Sequence, residues 1–217
     1  MTASKLSETS YARKTILGES NKPLFRLFIA GDSVGAGVGA SSFETSVAGR
    51  LGEYFAKNYQ VEFENVSVSG HKVKDVLNGK IPEEQQDLII LIVGSNNLFR
   101  FTDIKQFEKD VEELYVKFSS KGKKVLLIGP GRIFDSSAVP LVIRPVYKYQ
   151  GQKYAQILSS KSKEFDNVIH VTTFKHQASE KKYGNTLASD KFHPSDSGHE
   201  FWFDMIKGGL ETKSPGG

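Results

Sequence analysis

A hydroxyl nucleophile, a base and a carboxylate that orients the base can together move an acyl group. This 217-residue sequence holds candidates for all three. Ser33 ends the run Leu24-Phe25-Arg26-Leu27-Phe28-Ile29-Ala30-Gly31-Asp32-Ser33, where an apolar stretch passes into a turn rich in glycine and other small residues. Chemistry in open α/β sheets gathers at the carboxyl ends of strands, which is where Ser33 falls. About 160 residues later comes Asp190-Lys191-Phe192-His193-Pro194-Ser195-Asp196-Ser197-Gly198-His199. A three-residue spacing lets the Asp190 carboxylate reach Nδ1 of His193 within one turn, leaving Nε2 for Ser33. Pro194 suits the first turn of a following helix and Ser195 a cap. The oxyanion formed in acyl transfer needs N–H donors. Gly70 and Asn96 both follow predicted strands and can supply a backbone N–H and a side-chain amide, beside the N–H of Ser33. Each also has a plainer reading: Ser33 as a helix cap, Asp190 and His193 as a hydrogen-bonded turn, Gly70 as a turn glycine, Asn96 as a loop brace.

The elements that must position these residues alternate. Strands are predicted at 24–30, 61–66, 87–93, 124–129 and 168–173, and helices at 44–58, 103–120, 147–164 and 196–208, with a short one near Val73–Leu77. The run Asp87–Val93 is apolar throughout, as in a strand buried on both faces. Five strands alternating with helices predict an α/β fold with a parallel sheet covered on both sides. Residues 1–22 lack a period and are expected to form an arm or tail. Residues 23–210 are one expected domain, and 211–217, ending Ser214-Pro215-Gly216-Gly217, a flexible end. The longest irregular connection, 130–146, holds Pro130, Pro140 and Pro145. Long loops at strand ends often shape a pocket. Arg132 and Arg144 lie in it, and Phe99, Arg100 and Tyr147 fall near the same expected mouth. Arg132, Arg144, Phe99, His71, Asp32 and Asn97 are candidate pocket residues. Asp32 is expected to turn toward nearby backbone N–H groups, and His199 to pack or face solvent. His170 and His176 receive no role.

Composition narrows the classes. The chain has no cysteine, which excludes thiolate nucleophiles, disulfides and Cys-ligated zinc. The net charge of +4 comes from scattered lysines, without the aromatic–basic interleaving of a nucleic-acid module. No apolar stretch reaches the length of a membrane span. Met1–Lys22 is polar and lacks a secretory core, so a cytoplasmic location is expected.

Four segments in order, Gly31-Asp32-Ser33, Gly70, Gly94-Ser95-Asn96-Asn97 and Asp190-Lys191-Phe192-His193, resemble the four blocks of the SGNH (GDSL-like) hydrolases, a family that includes lysophospholipase-like esterases. The resemblance implies a three-layer α/β/α sandwich with a five-stranded, flavodoxin-like parallel sheet in the order 2-1-3-4-5. It implies Ser33 as nucleophile, His193 as base and Asp190 as its orienter. Ser33 N–H, Gly70 N–H and Asn96 Nδ2 would form the oxyanion hole, and neither metal nor organic cofactor would be needed. One position departs: the third block usually ends in Asp, and here it is Asn97. The family residue is expected to brace loops, and an amide can hydrogen-bond there without carrying charge.

The leading expectation is a serine esterase acting on a small-molecule ester: a short-chain ester, an acetylated sugar, a lysophospholipid or a thioester. The rivals are an acyltransferase on the same scaffold and an inactive binding module, the latter disfavoured because all three triad residues are present. Nothing in the sequence sets the acyl length or the oligomeric state.

Overall fold

Residues 10–175, 178 and 180–211 are described by the computed structural model. His176, residues 1–9 of the expected arm and residues 212–217 of the expected flexible end at 211–217 lie outside them. Among the described residues six strands form one sheet: β1 (Lys14–Leu17), β2 (Leu24–Gly31), β3 (Gln60–Asn65), β4 (Gln86–Ile92), β5 (Gly122–Ile128) and β6 (Val168–Val171). Among the described residues seven α-helices accompany it: α1 (Val47–Ala56), α2 (Val73–Asn78), α3 (Ser95–Phe99), α4 (Ile104–Ser119), α5 (Arg144–Ser162), α6 (Glu180–Tyr183) and α7 (Asp196–Glu211).

The sheet order is β1-β3-β2-β4-β5-β6. Strands β2 to β6 are parallel, and without β1 their order is the expected 2-1-3-4-5. The strand count corrects the reading of five. β1 lies in the stretch read as an arm and pairs antiparallel with β3, from Lys14 opposite Glu64 to Leu17 opposite Val61. Four residues of half-exposed edge strand give too short a pattern to recognise from hydrophobicity. The four-residue helix α6 was missed for the same reason.

Side-chain alternation explains the continuous apolar runs. In β2, Leu27 and Ile29 face α1 and α7 in one core, whereas Phe28 and Ala30 face the other core with Val111, Tyr115 and Tyr154. Both faces are therefore dry, and a polar residue on either would be buried without a partner. Helix starts follow capping rules. Ser46 accepts from Gly49 N–H at the start of α1, and Asp103 accepts from Lys105 and Gln106 N–H at the start of α4. Helix α5 begins three residues earlier than its apolar pattern predicts. Pro145 sits in its first turn, where its missing N–H costs nothing, and the 130–143 stretch before it folds into two 3₁₀ turns, Ile133–Asp135 and Leu141–Ile143.

Candidate active site

The carboxyl ends of β2, β3 and β4 lie side by side, and Ser33 follows the middle one. Gly31 must be glycine, because a Cβ there would lie 2.2 Å from the Ile92 carbonyl oxygen of β4. Ser33, 7% exposed, starts a coiled turn. Its carbonyl accepts from Val38 N–H at 2.9 Å, and the Asp32 carbonyl accepts from Ala36 N–H at 2.9 Å. Two more residues, absent from the expected set, hold this turn. Buried Asn65, at the end of β3, donates its amide to the Gly35 carbonyl at 2.8 Å. Tyr11, just before β1, donates its N–H to the Ala36 carbonyl and its hydroxyl to the Ala40 carbonyl.

Asp32 is fully buried. Its Oδ1 accepts from Val34 N–H at 3.0 Å, and Oδ2 has no hydrogen bond of full geometry. Burial raises its pKa to about 7, against the pull of Val34 N–H and the nearby Ser95 hydroxyl.

The Asp190–His193 pair is built by a tight turn in which Lys191 takes a positive φ of 59°. Asp190 Oδ1 accepts from the N–H groups of Phe192 and His193, both at 3.0 Å, and Oδ2 lies 2.6 Å from His193 Nδ1. Burial pushes this carboxyl up, but the His193 ring and the two backbone N–H groups outweigh it and hold the pKa below the ordinary carboxylate value. The carboxylate fixes the ring with Nδ1 protonated and Nε2 free to accept a proton. Ser33 and His193 line one open cavity of about 810 Å³. Its remaining wall is largely apolar, including Ile133, Phe192, Phe201, Trp202 and Met205.

The segment after His193 clamps the Ser33 turn. Helix α7 starts at Asp196, so Pro194 precedes it rather than joining its first turn, and the Ser195 hydroxyl accepts from Gly198 N–H as a cap. Asp196 takes the Ser41 N–H and hydroxyl on its two oxygens, both at 2.7 Å. His199 is fully buried. Nδ1 accepts from Val47 N–H at 3.3 Å, and Nε2 faces the Val38 carbonyl at 3.1 Å. Burial lowers its pKa to about 4, so the ring is neutral and donates from Nε2. It packs and has no place as a second base.

Gly70 and Asn96 stand outside the wall of the cavity, past the strands flanking β2. Gly70 has a φ of +86°, a conformation that favours glycine, and a Cβ there would meet nothing closer than Arg100 at 3.9 Å. Asn96 Nδ2 donates to the His71 carbonyl at 3.1 Å, which ties the amide to the Gly70 turn and leaves its second hydrogen for another acceptor.

The candidate pocket residues divide. Arg132 lines the cavity, although its Nε is paired with Asp135 at 2.5 Å and Nη1 donates to the Phe174 carbonyl. Asp32, His71, Asn97, Phe99 and Arg144 stand outside the cavity wall. Asp32 points inward because its carboxyl caps its own turn. Arg144 is spent on the Val139 and Ser136 carbonyls and braces the 130–146 loop. Asn97, 1% exposed, accepts from Val73 N–H at 2.9 Å and donates to the Thr102 hydroxyl at 3.3 Å. It braces α2 against the end of α3; a carboxylate there would keep the first bond and would have to accept from the Thr102 hydroxyl in the second. Phe99 is exposed and meets Phe192 edge to face, 5.8 Å between centroids.

An α/β/α sandwich with an Asp–His pair and a serine at the strand ends has the layout of the SGNH hydrolases. Residues 29–201 match the model of the GDSL-like lipase/acylhydrolase family, and the chain belongs to it. It is a carboxylic ester hydrolase. Among curated proteins, no relative matches. Its fold is similar to that of several solved structures. TesA is 20% identical, with 86% of this chain and 98% of that one covered and a TM-score of 0.68. A catalytic mutant of Axe2, an acetylxylan esterase from Geobacillus stearothermophilus, is 15% identical, with 91% and 97% covered and a TM-score of 0.66. The psychrotrophic esterase EstA from Pseudoalteromonas sp., in a structure inhibited by monoethylphosphonate, is 16% identical, with 86% and 96% covered and a TM-score of 0.65. Among the described residues no helix is long and apolar enough to cross a membrane.

Proposed function

We propose that the chain hydrolyses carboxylic esters through an acyl-enzyme on Ser33. Ser33 Oγ adds to the ester carbonyl as its proton passes to His193 Nε2, while Asp190 stabilises the imidazolium. The oxyanion is held by Ser33 N–H, Gly70 N–H and the free hydrogen of Asn96 Nδ2. The C–O bond to the alcohol then breaks, the alcohol leaves with the proton from His193, and a water activated by His193 releases the acid. The observation that carries this reading is the 2.6 Å Asp190–His193 contact at the edge of the cavity that Ser33 also lines.

The cavity favours one part of the substrate range. Its apolar wall and volume of about 810 Å³ exceed what an acetyl group fills and suit a longer acyl or alcohol chain. Turnover of p-nitrophenyl esters from acetate to laurate is expected to rise beyond acetate and to vanish in Ser33→Ala, which keeps the wild-type circular dichroism. A phosphonate ester probe is expected to add one phosphonyl group to wild type by intact mass and none to Ser33→Ala. Serine-independent turnover would end the mechanism, and a maximum at acetate would end the long-chain reading.

A further inference from the structure

Of the ten large apolar side chains exposed among the described residues, six fall in two segments, Phe99 and Phe101 and then Leu141, Val142, Val146 and Tyr149. The fold joins these segments. Tyr147 stacks on Phe101 at 4.7 Å and on Phe99 at 6.4 Å, and Phe99 meets Phe192, the neighbour of His193. Ring contacts therefore link Phe192, at the wall of the cavity, through exposed Phe99 and Phe101 and buried Tyr147 to the start of α5, beside which the other exposed apolar side chains stand. Leu141 and Val142 stand out furthest, 74% and 85% exposed, on a 3₁₀ turn braced between Pro140 and Pro145. Singly exposed apolar residues need no explanation, but a contiguous patch does.

The charge along the second segment is one-sided, although exposed Asp103 follows Phe101 by two residues. Residues 136–163 contain no Asp or Glu and five cations, Arg144, Lys148, Lys153, Lys161 and Lys163. Lys161 is paired with Glu112 and Glu164. Lys148 is exposed beside Val146 and Tyr149, and Lys153 lies over the Tyr149 ring at 5.6 Å. Exposed Arg100 stands between Phe99 and Phe101. Apolar tips among unpaired cations match an interface that is apolar below and anionic at its surface. A sugar polymer would call for flat rings and hydrogen-bonding side chains at the most prominent positions, and those are branched aliphatics here.

We propose that this patch docks the protein on an anionic lipid bilayer, Leu141 and Val142 entering the headgroup region and the mouth of the Ser33–His193 cavity facing the membrane. The docking stands apart from the reaction proposed above, and its test reads binding rather than turnover. The full chain is sedimented with vesicles of phosphatidylglycerol mixed with phosphatidylcholine, and with phosphatidylcholine alone. Binding is expected to the anionic vesicles, weakened by salt. Lys148→Glu is expected to weaken it by at least about fivefold. Leu141→Asp/Val142→Asp, which changes only exposed side chains, is expected to abolish binding and to leave p-nitrophenyl acetate turnover as in wild type. Failure of wild type to bind anionic vesicles would overturn the proposal, as would equal binding by the double variant. Concentration-dependent dimers lost in the double variant, with no vesicle binding, would replace the bilayer with a second copy of the chain. If docking fails while serine-dependent turnover persists, the esterase reading stands alone.

Discussion

In the proposed mechanism His193 acts as a base only while its ring keeps one tautomer, and the Asp190 carboxylate sets that tautomer. Both N–H groups that Asp190 Oδ1 accepts must still meet an oxygen in Asp190→Asn, so the new amide nitrogen takes the place of Oδ2, 2.6 Å from His193 Nδ1. Two donors then face each other unless Nδ1 loses its proton, and Nε2 becomes the protonated nitrogen that cannot accept from Ser33. The turn is otherwise preserved, so folding should be close to wild type while kcat falls by about 10⁴, the scale known for the serine-protease triad. Stopped-time ester assays beside a urea melt check this; a kcat within tenfold of wild type would remove Asp190 from the mechanism. At this scale the sequence was most legible where one short segment contains both partners, as Asp190 and His193 do. It was opaque where the partner is remote. Asn65 serves the Gly35 carbonyl thirty residues away, and His199 serves Val38 and Val47 more than 150 residues away. Neither spacing marks the residue out. Asp32 and Arg144 both lie near the strand ends, yet Asp32 Oδ1 and the Arg144 guanidinium bond the loops' own backbone, which spacing alone does not show.

Helix α7 and the nucleophile turn form one mechanical unit, because Asp196 and His199 bind the turn from below while Gly39 lets the two backbones touch. Gly39 has a φ of +93°, and a Cβ there would lie 2.2 Å from the Pro194 carbonyl oxygen and 3.3 Å from His193 Cβ. Gly39→Ala is therefore expected to cost about 1–3 kcal/mol from the backbone alone and to lower kcat by moving His193 off its line to Ser33. Gly208→Ala, in the same helix α7 and with open space around its built Cβ, is the control. It should gain about 0.5–1 kcal/mol from helix propensity without touching kcat. Equal effects of the two on kcat would show that the contact between Gly39 and the His193–Pro194 turn positions nothing. The parallel strands and the long helices were legible because burial on both sheet faces and one-sided helix burial leave distinct periods. The edge strand β1 was not. Only Thr15 and Leu17 alternate inward in it, and its place depends on pairing with β3 across nearly fifty residues. The start of α5 was misplaced because its first turn carries Pro145 and exposed Val146 instead of an inward-facing stripe.

For the molecule as a whole, three buried ionisable groups set the pH dependence of stability, and they pull in opposite directions. His199 and His170 have their pKa lowered from 6.5 to about 4 by burial. The unfolded chain protonates them first, so their contribution is complete above pH 6.5 and is lost as pH falls toward 4, by up to about 3 kcal/mol each. Asp32 is the reverse. Its pKa rises from 3.8 to about 7, so its folded form is favoured at low pH and loses up to about 4 kcal/mol as pH rises through that range. The lowered carboxyls of Asp87, Asp190, Asp196 and Asp204 act below 3.8, outside this window. Between pH 4 and 6.5 the unfolded chain thus takes up two protons that the folded one does not, and the folded chain holds one that the unfolded does not. The net is one proton, or a loss of about 1.4 kcal/mol per pH unit on acidification. Asp32→Asn removes the opposing group. Urea denaturation should then give an acid limb about twice as steep, together with a folded state more stable than wild type above pH 7. An unchanged slope in Asp32→Asn would mean that Asp32 is ionised throughout this window, with its Oδ2 satisfied by the neighbouring Ser95 hydroxyl, and that the charge beside the nucleophile is permanent.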